Sequence, residues 1–503
     1  MNRVLCMALL PMVSAQLLAA QVDTAGSGRL IDHTLNHSEV LANLEHLTDV
    51  IGPRLTGSPA MVRANEWTAE RFRAYGLGAR LEPWQFGVTW TRGPAEFTIT
   101  APFERSLHAE SWAWTAGTDG KTLSGPVVRV DLSNAESLAV YRERVKGAWL
   151  ITRAPATIWN PDGPPMTAAD STAQQAAARA QFSPPADTSE AARKARQQFQ
   201  TDLPYLLKQA GALGTLRDAG KEHGLLNMSG SPNSVSPLPS VVIAHEDYAM
   251  FDRLIRQGMV PRLDGRIENR FGAGPVMQYN TVAEIRGSTI PNQVVILGAH
   301  LDSWDLGTGS TDNGTGSMVV LEAARAIAQS GVKPARTIRF ILFTGEEEGL
   351  LGSRAYAARH ADEADSIQAV LVLDNGTGAI TGQALQGRPQ DEQLWKDLLA
   401  PVASLGAGAV RDANKGGTDH LSFIPYGVPG WNFDQQSRGY NHTHHSQVDT
   451  WDHALRDDLK QASAVMAVTA FELANLPRLI DRGGKKPVTP PTVAKPSPGL
   501  VSK

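Results

Sequence analysis

Apolar side chains recur at helical spacing between Asn36 and about Leu81, first in SEVLANLEHLTDVIG and then in GSPAMVRANEWTAERFRAYGLG, which runs to a glycine stop. Two helices of a larger unit are predicted there. From about Ala101 the pattern shortens to brief apolar runs between turn residues, as in SGPVVRVDL, VKGAWLITR and LPSVVIAHED, the last followed by a short helix and GMVPRLDGRI. This texture predicts strands and turns. Residues 160–202 are rich in Ala, Gln, Pro and Arg and are expected to form a helical or mobile insertion outside the chemistry. From about Gly274 to Leu479, strand-like runs (NTVAEIRG, QVVILGAH, TIRFILFT, IQAVLVLD) alternate with helical ones such as SMVVLEAARAIAQSG. That alternation predicts an α/β fold: a mostly parallel central sheet with helices on both faces. The tail GGKKPVTPPTVAKPSPGLVSK is Pro-rich, and residues 480–503 are expected to be disordered.

Composition narrows the class. A chain of 503 residues exceeds what one hydrophobic core sustains, so a large domain and at least one further module are expected. The 47 basic side chains nearly cancel the 51 acidic ones, and nothing in that balance points to nucleic acid as a partner. The start, MNRVLCMALLPMVSAQLLAAQ, has a basic Arg3, an apolar run and small residues suited to cleavage after Ala15 or Ala20. It reads as a signal peptide over residues 1–20, for a secreted or periplasmic protein. The run is broken by Pro11 and Ser14 and is short for a membrane anchor, and no other stretch reaches spanning length. The single cysteine, Cys6, lies inside this segment, so a mature chain has no disulfide, thiolate site or cysteine nucleophile.

Candidate chemistry sits where strongly apolar strands stop. QVVILGA ends at His300, TIRFILFTG at Glu346 and Glu347, and IQAVLVL at Asp374. In open α/β sheets ligands bind at the carboxyl edge of the strands, so these side chains are expected to share one crevice. Carboxylates and imidazoles gathered there call for a compensating cation. Each residue alone has an ordinary structural explanation: the triplet Glu346, Glu347, Glu348 suits a helix N-terminus, His300 a hydrogen bond, Asp374 a cap. Their joint occurrence at successive strand ends outweighs those explanations. The stretch GTGSTDNGTGS, residues 307–317, lacks the Gly-Lys-Ser/Thr ending of a phosphate cradle, and its glycines fit a tight loop that delivers Asp312 just before a helix. Neither a G-x-S-x-G elbow nor an H-E-x-x-H helix occurs, which argues against a serine hydrolase and a thermolysin-type enzyme.

In this order, GAHLDSWDLGTGSTDNGTGS, FTGEEEGLLGS, VLDNGTG, GGTDHLSFIPYGVPG and HHSQVDTWD resemble the two-zinc exopeptidases of the aminopeptidase and glutamate carboxypeptidase type. Within that superfamily HLDSWD, GGTD and HHSxxDT are most similar to the carboxypeptidase Q, or plasma glutamate carboxypeptidase, group. The resemblance covers about residues 35–105 and 275–475, with RLTGSP as its early marker. It implies a zinc peptidase domain over residues 30–105 and 275–479, with a β-rich, protease-associated-like insert at 106–274. It implies two zinc ions per chain, one on His300 and Asp374, the other on Glu347 and His445, with Asp312 shared. Asp302 is implied as the carboxylate that orients His300, and Glu346 as the general base. Spacing leaves the choice among three glutamates and among His442, His444 and His445 open; the GLLGS and H-S-x-x-D-T patterns select Glu346, Glu347 and His445. Asp419 is expected near the substrate pocket. The resemblance favours carboxypeptidase or dipeptidase action on short peptides, with an aminopeptidase as the rival and a non-catalytic, receptor-like binding protein as the alternative of another class. A homodimer is compatible with it.

Overall fold

The structure is a computed structural model that describes residues 24–158 and 189–482. The expected signal peptide, most of the 160–202 insertion and nearly all of the Pro-rich tail lie outside the described residues.

An eight-stranded mixed sheet runs in the order Gly78–Phe86, Val276–Ile285, Arg336–Phe343, Ile290–His300, Ile367–Val372, Gly430–Gln435, Ile380–Ala384, Ala409–Arg411. The four central strands, Arg336–Phe343 to Gly430–Gln435, are mutually parallel, whereas Gly78–Phe86 and Val276–Ile285 form an antiparallel flank. Of the central strands, Ile290–His300 and Ile367–Val372 carry near-continuous apolar runs because both their faces are covered. Alternate residues divide between two cores, as the two-residue period of a strand requires. Val295, Leu297 and Ala299 pack with Ile338, Phe340 and Leu342 under the helices Thr315–Gln329 and Arg456–Asn475. Val294, Ile296, Ile341 and Phe343 pack with Tyr356 and Ala357 of the helix Leu351–Arg359 on the other face. The expected α/β layering is present.

A helix at Thr24–Asn36 precedes the region where the apolar pattern becomes regular. Its sequence, TAGSGRLIDHTLN, is a weak helix former, and packing holds it: Leu30 joins the main core and Ser27 Oγ donates to Glu472 Oε1 at 2.5 Å. Of the two expected helices, the second is continuous over Pro59–Ala74, capped by Ser58, whose side chain accepts from Met61 N.

A second eight-stranded sheet has the order Arg105–Ser106, Ala95–Ala101, Arg262–Ile267, Leu123–Arg129, Trp149–Ile151, Gly214–Asp218, Ser240–Ile243, Ala109–Ser111. Its strand Ala95–Ala101 lies before residue 106, where the resemblance places the start of the insert. Pairing puts it in this sheet: that strand is laid antiparallel against Arg262–Ile267, a partner remote in sequence. Strands Leu123–Arg129 to Ser240–Ile243 are parallel, and helices cover both faces. His245–Arg256 packs on Trp149 and Ile151, and Ala135–Val145 and Glu190–Gln209 pack on Leu150. This second module is thus a layered unit of helices on an eight-stranded sheet. Among the described residues no helix is long and apolar enough to cross a membrane.

Candidate metal centre

Parallel register brings the strand ends level. Gly298 pairs with Val372 and His300 with Phe343, so two residues beyond Gly298 and Val372 stand His300 and Asp374, and Glu346 follows three residues after Phe343. Asp312 arrives from the turn Ser310–Gly314, and His445 from the loop after the short helix Tyr440–Thr443. The helix Thr315–Gln329 starts close enough to the sheet edge that a Cβ on Gly316 would stand 2.3 Å from Leu373 O and from Asn313 Oδ1. Only glycine permits that approach.

The residues named from the sequence meet in one place. His300 Nε2 lies 3.4 Å from Asp312 Oδ1, 3.3 Å from Asp374 Oδ1 and 4.0 Å from Glu346 Oε2. His445 Nε2 lies 3.4 Å from Asp312 Oδ2 and 3.0 Å from Glu347 Oε2. The two oxygens of Asp312 thus face two different groups of donors. Asp302 stands behind them: His300 Nδ1 donates to its main-chain oxygen at 3.1 Å, while its Oδ2 accepts from Thr56 Oγ1 and from Glu347 N, each at 3.2 Å. With Nδ1 as donor, Nε2 is left to face the carboxylates.

Electrostatics show what the side chains alone fail to balance. Burial pushes the Glu346 carboxyl well above the usual range; His300 opposes this, and Asp374, Asp419 and Glu347 add to it. Glu347 is raised in the same way, by burial and then by Asp312. Burial would lower His300, yet Asp374 and Glu346 hold it well above its ordinary value. Asp312 is drawn down despite burial by the hydrogen bond with His300 and by the charges of His444 and His445. Asp312 Oδ2 and Glu347 Oε1 are buried without a hydrogen-bond partner. Buried, unpartnered carboxylate oxygens beside imidazole nitrogens are the donor set that suits a zinc-like cation, so these residues fit such a group. Side-chain donor atoms of His300, Asp312 and Asp374, and those of Asp312, His444 and His445, each lie within 4.8 Å of one another.

Beside the residues assigned from the motifs stand His444, an alternative that spacing left open, and two residues without an assigned role. His444 stacks on His445, with ring centroids 3.7 Å apart, and reaches Asp312 Oδ2 at 3.8 Å; unlike His445 it is 42 % exposed. Asp449, the aspartate of the HHSQVDT stretch, accepts from Thr311 N at 2.6 Å, Thr311 Oγ1 at 2.8 Å and Asp312 N at 3.1 Å, and so fixes the turn that carries Asp312. Burial raises it to about 7. Arg54, in RLTGSP, is fully buried and donates to Leu301 O, Thr308 O and Gly309 O at 2.6–2.7 Å, binding the loop from both sides. Asp449 and Arg54 lie in HHSQVDT and RLTGSP, but only tertiary contacts reveal what they hold. Asp419 is buried beside the site, and burial lifts it to about 7, with His300 opposing.

A sheet whose parallel strands gather imidazoles and carboxylates at their carboxyl edge in this way makes an α/β fold with a candidate metal centre. Residues 280–470 match the family model described as Peptidase family M28. The chain is 34% identical over 254 residues to Carboxypeptidase Q of Xenopus laevis, a match that takes in 50% of this chain and spans about half, 53%, of that relative. It is 27% identical over 443 residues to Carboxypeptidase Q of Bos taurus, covering 87% of this chain and 85% of the other. In fold it is similar to the Peptidase M28 precursor from Shewanella amazonensis SB2B, with a TM-score of 0.71 at 24% identity, covering 91% of this chain and 99% of that one.

Proposed function

We propose that the chain is a zinc-dependent exopeptidase that hydrolyses dipeptides or short peptides, acting as a carboxypeptidase or dipeptidase. The observation that carries this reading is the meeting of His300, Asp312, Glu347, Asp374 and His445 around the two oxygens of Asp312. His300 and Asp374 would hold one ion, Glu347 and His445 the other, with Asp312 shared. Bound zinc supplies Lewis acidity, which acidifies water and polarises a peptide carbonyl. Glu346, at the rim of the same cluster, accepts a proton from the attacking water and returns it to the nitrogen that leaves as the C–N bond breaks. Its raised affinity for a proton, caused first by burial, suits a group that must hold a proton between those two transfers. Asp302 orients His300 and, through Glu347 N, the second carboxylate.

Similarity to Carboxypeptidase Q over most of the chain supports the choice of substrate end. The test is hydrolysis of free, N-blocked and C-blocked dipeptides with and without a chelator. Chelator-sensitive cleavage that requires a free carboxylate is expected. A requirement for a free amine instead would give the aminopeptidase, and a chain that neither binds zinc nor cleaves any of the three would be a binding protein.

A further inference from the structure

The His445 loop is held from outside the peptidase module. Segment 221–228 of the second module runs beside residues 444–447, although Lys221 and His444 are 223 positions apart. Met228 N donates to His445 O at 2.8 Å and Lys221 Nζ to His444 O. Leu226 N donates to Gln447 Oε1 at 2.9 Å, and Gln447 Nε2 donates to Gly224 O at 3.2 Å, so one amide side chain is gripped at both ends. Leu226 and Met228 bury their side chains in an apolar cluster built from both modules, with Leu55, Trp84 and Trp304 from one and Trp114 and Val242 from the other. Rings continue the contact: Trp114 meets the edge of Trp304 at 6.3 Å, and Trp304 meets His445 at 5.9 Å.

The two halves of the centre are secured differently. His300 belongs to a central strand and Asp374 stands two residues past one, so the sheet ladder sets their positions. His445 sits on a loop, and its φ is +57°. A residue with a Cβ is disfavoured in that left-handed conformation and stays there only when its surroundings over-determine it.

We propose that the second module is a clamp for the His445 half of the metal centre. Lys221, Gln447 and the main chain of 224–228 are positioning residues for the His445 imidazole, and through them the inserted module sets the affinity for one of two ions. This rests on the two-ion reading above. Zinc titration of the full chain against a chromophoric chelator tests it, with Gln447→Ala and Lys221→Met compared with the wild type and with His445→Ala. Each clamp variant is expected to keep one ion at wild-type affinity and to bind the other about 10- to 100-fold more weakly, the same ion that His445→Ala loses. Lys221→Met removes only an ammonium and keeps the test decisive should Gln447→Ala fail to fold. Unchanged affinity for both ions overturns the clamp, and so does an equal loss for both, which would mean general loosening. A wild-type chain that takes up no zinc sinks the two-ion reading itself, and the wild-type trace therefore tells the two failures apart.

Discussion

Glu346 and Asp312 separate chemistry from assembly. Glu346 approaches His300 at 4.0 Å without being one of the five residues assigned to metal, so Glu346→Gln is expected to lower turnover by about two to four orders of magnitude while zinc content, measured by atomic absorption, stays the same. Parallel loss of zinc would remove Glu346 from the role of base. Asp312 faces both imidazoles with different oxygens, so Asp312→Ala should lower zinc content more than His300→Ala or His445→Ala does separately. The motif order had singled out these residues, and they stand within a few ångströms of one another. Asp449 and Arg54 were not legible in that way. An aspartate or arginine is recognised as a support only when the loop it binds is seen, since its hydrogen bonds run to main chain whose path the sequence does not announce.

Elements hold the site by close approach. The helix that starts at Thr315 docks through Gly316 against the main chain at Leu373, directly before Asp374. Gly316→Ala is expected to cost about 1–3 kcal/mol by overpacking and to weaken zinc binding through displacement of Asp374, measured by urea unfolding and zinc titration. Wild-type values on both counts would show that the helix does not set that strand end. A second element-level test lies away from the site. His360, at the end of the helix Leu351–Arg359, contacts Glu82 Oε2 at 2.8 Å and Glu363 Oε1 at 2.9 Å. The hydrogen bond with Glu82 raises it above its ordinary value; burial opposes this, and Glu363 reinforces it. A raised histidine stabilises the fold fully below its unfolded value of about 6.5, and that contribution fades as pH climbs through the folded value. The gap in melting temperature between the wild type and His360→Gln should therefore be larger at pH 6 than at pH 9. A gap that widens with pH would contradict the ion pairing.

At the scale of the molecule, two sheets meet at an apolar seam beside a cluster of buried carboxylates. Assembled without a cation, Glu346 and Glu347 resist ionisation, so metal binding should favour the folded state. Free zinc at about a hundred times its dissociation constant should add roughly 2.7 kcal/mol, and a chelator should remove it, which differential scanning calorimetry reads as a shift in melting temperature. No shift on chelation would argue against a structural share for the metal.

The sequence by itself determined the layer order of the larger module and the points where its candidate chemistry begins. A strand covered on both faces is mostly apolar, so the point at which the apolar run of QVVILGA, TIRFILFTG or IQAVLVL ends in metal-ligand-type residues marks the edge of the sheet. Tertiary structure alone decided which strand belongs to which sheet, as Ala95–Ala101 shows, because pairing partners lie far away along the chain. It also decided that a loop carrying His445 would be braced by residues of the other module, a contact that leaves no periodicity to read because its hydrogen bonds, main chain to main chain and main chain to side chain, form across a fold already in place.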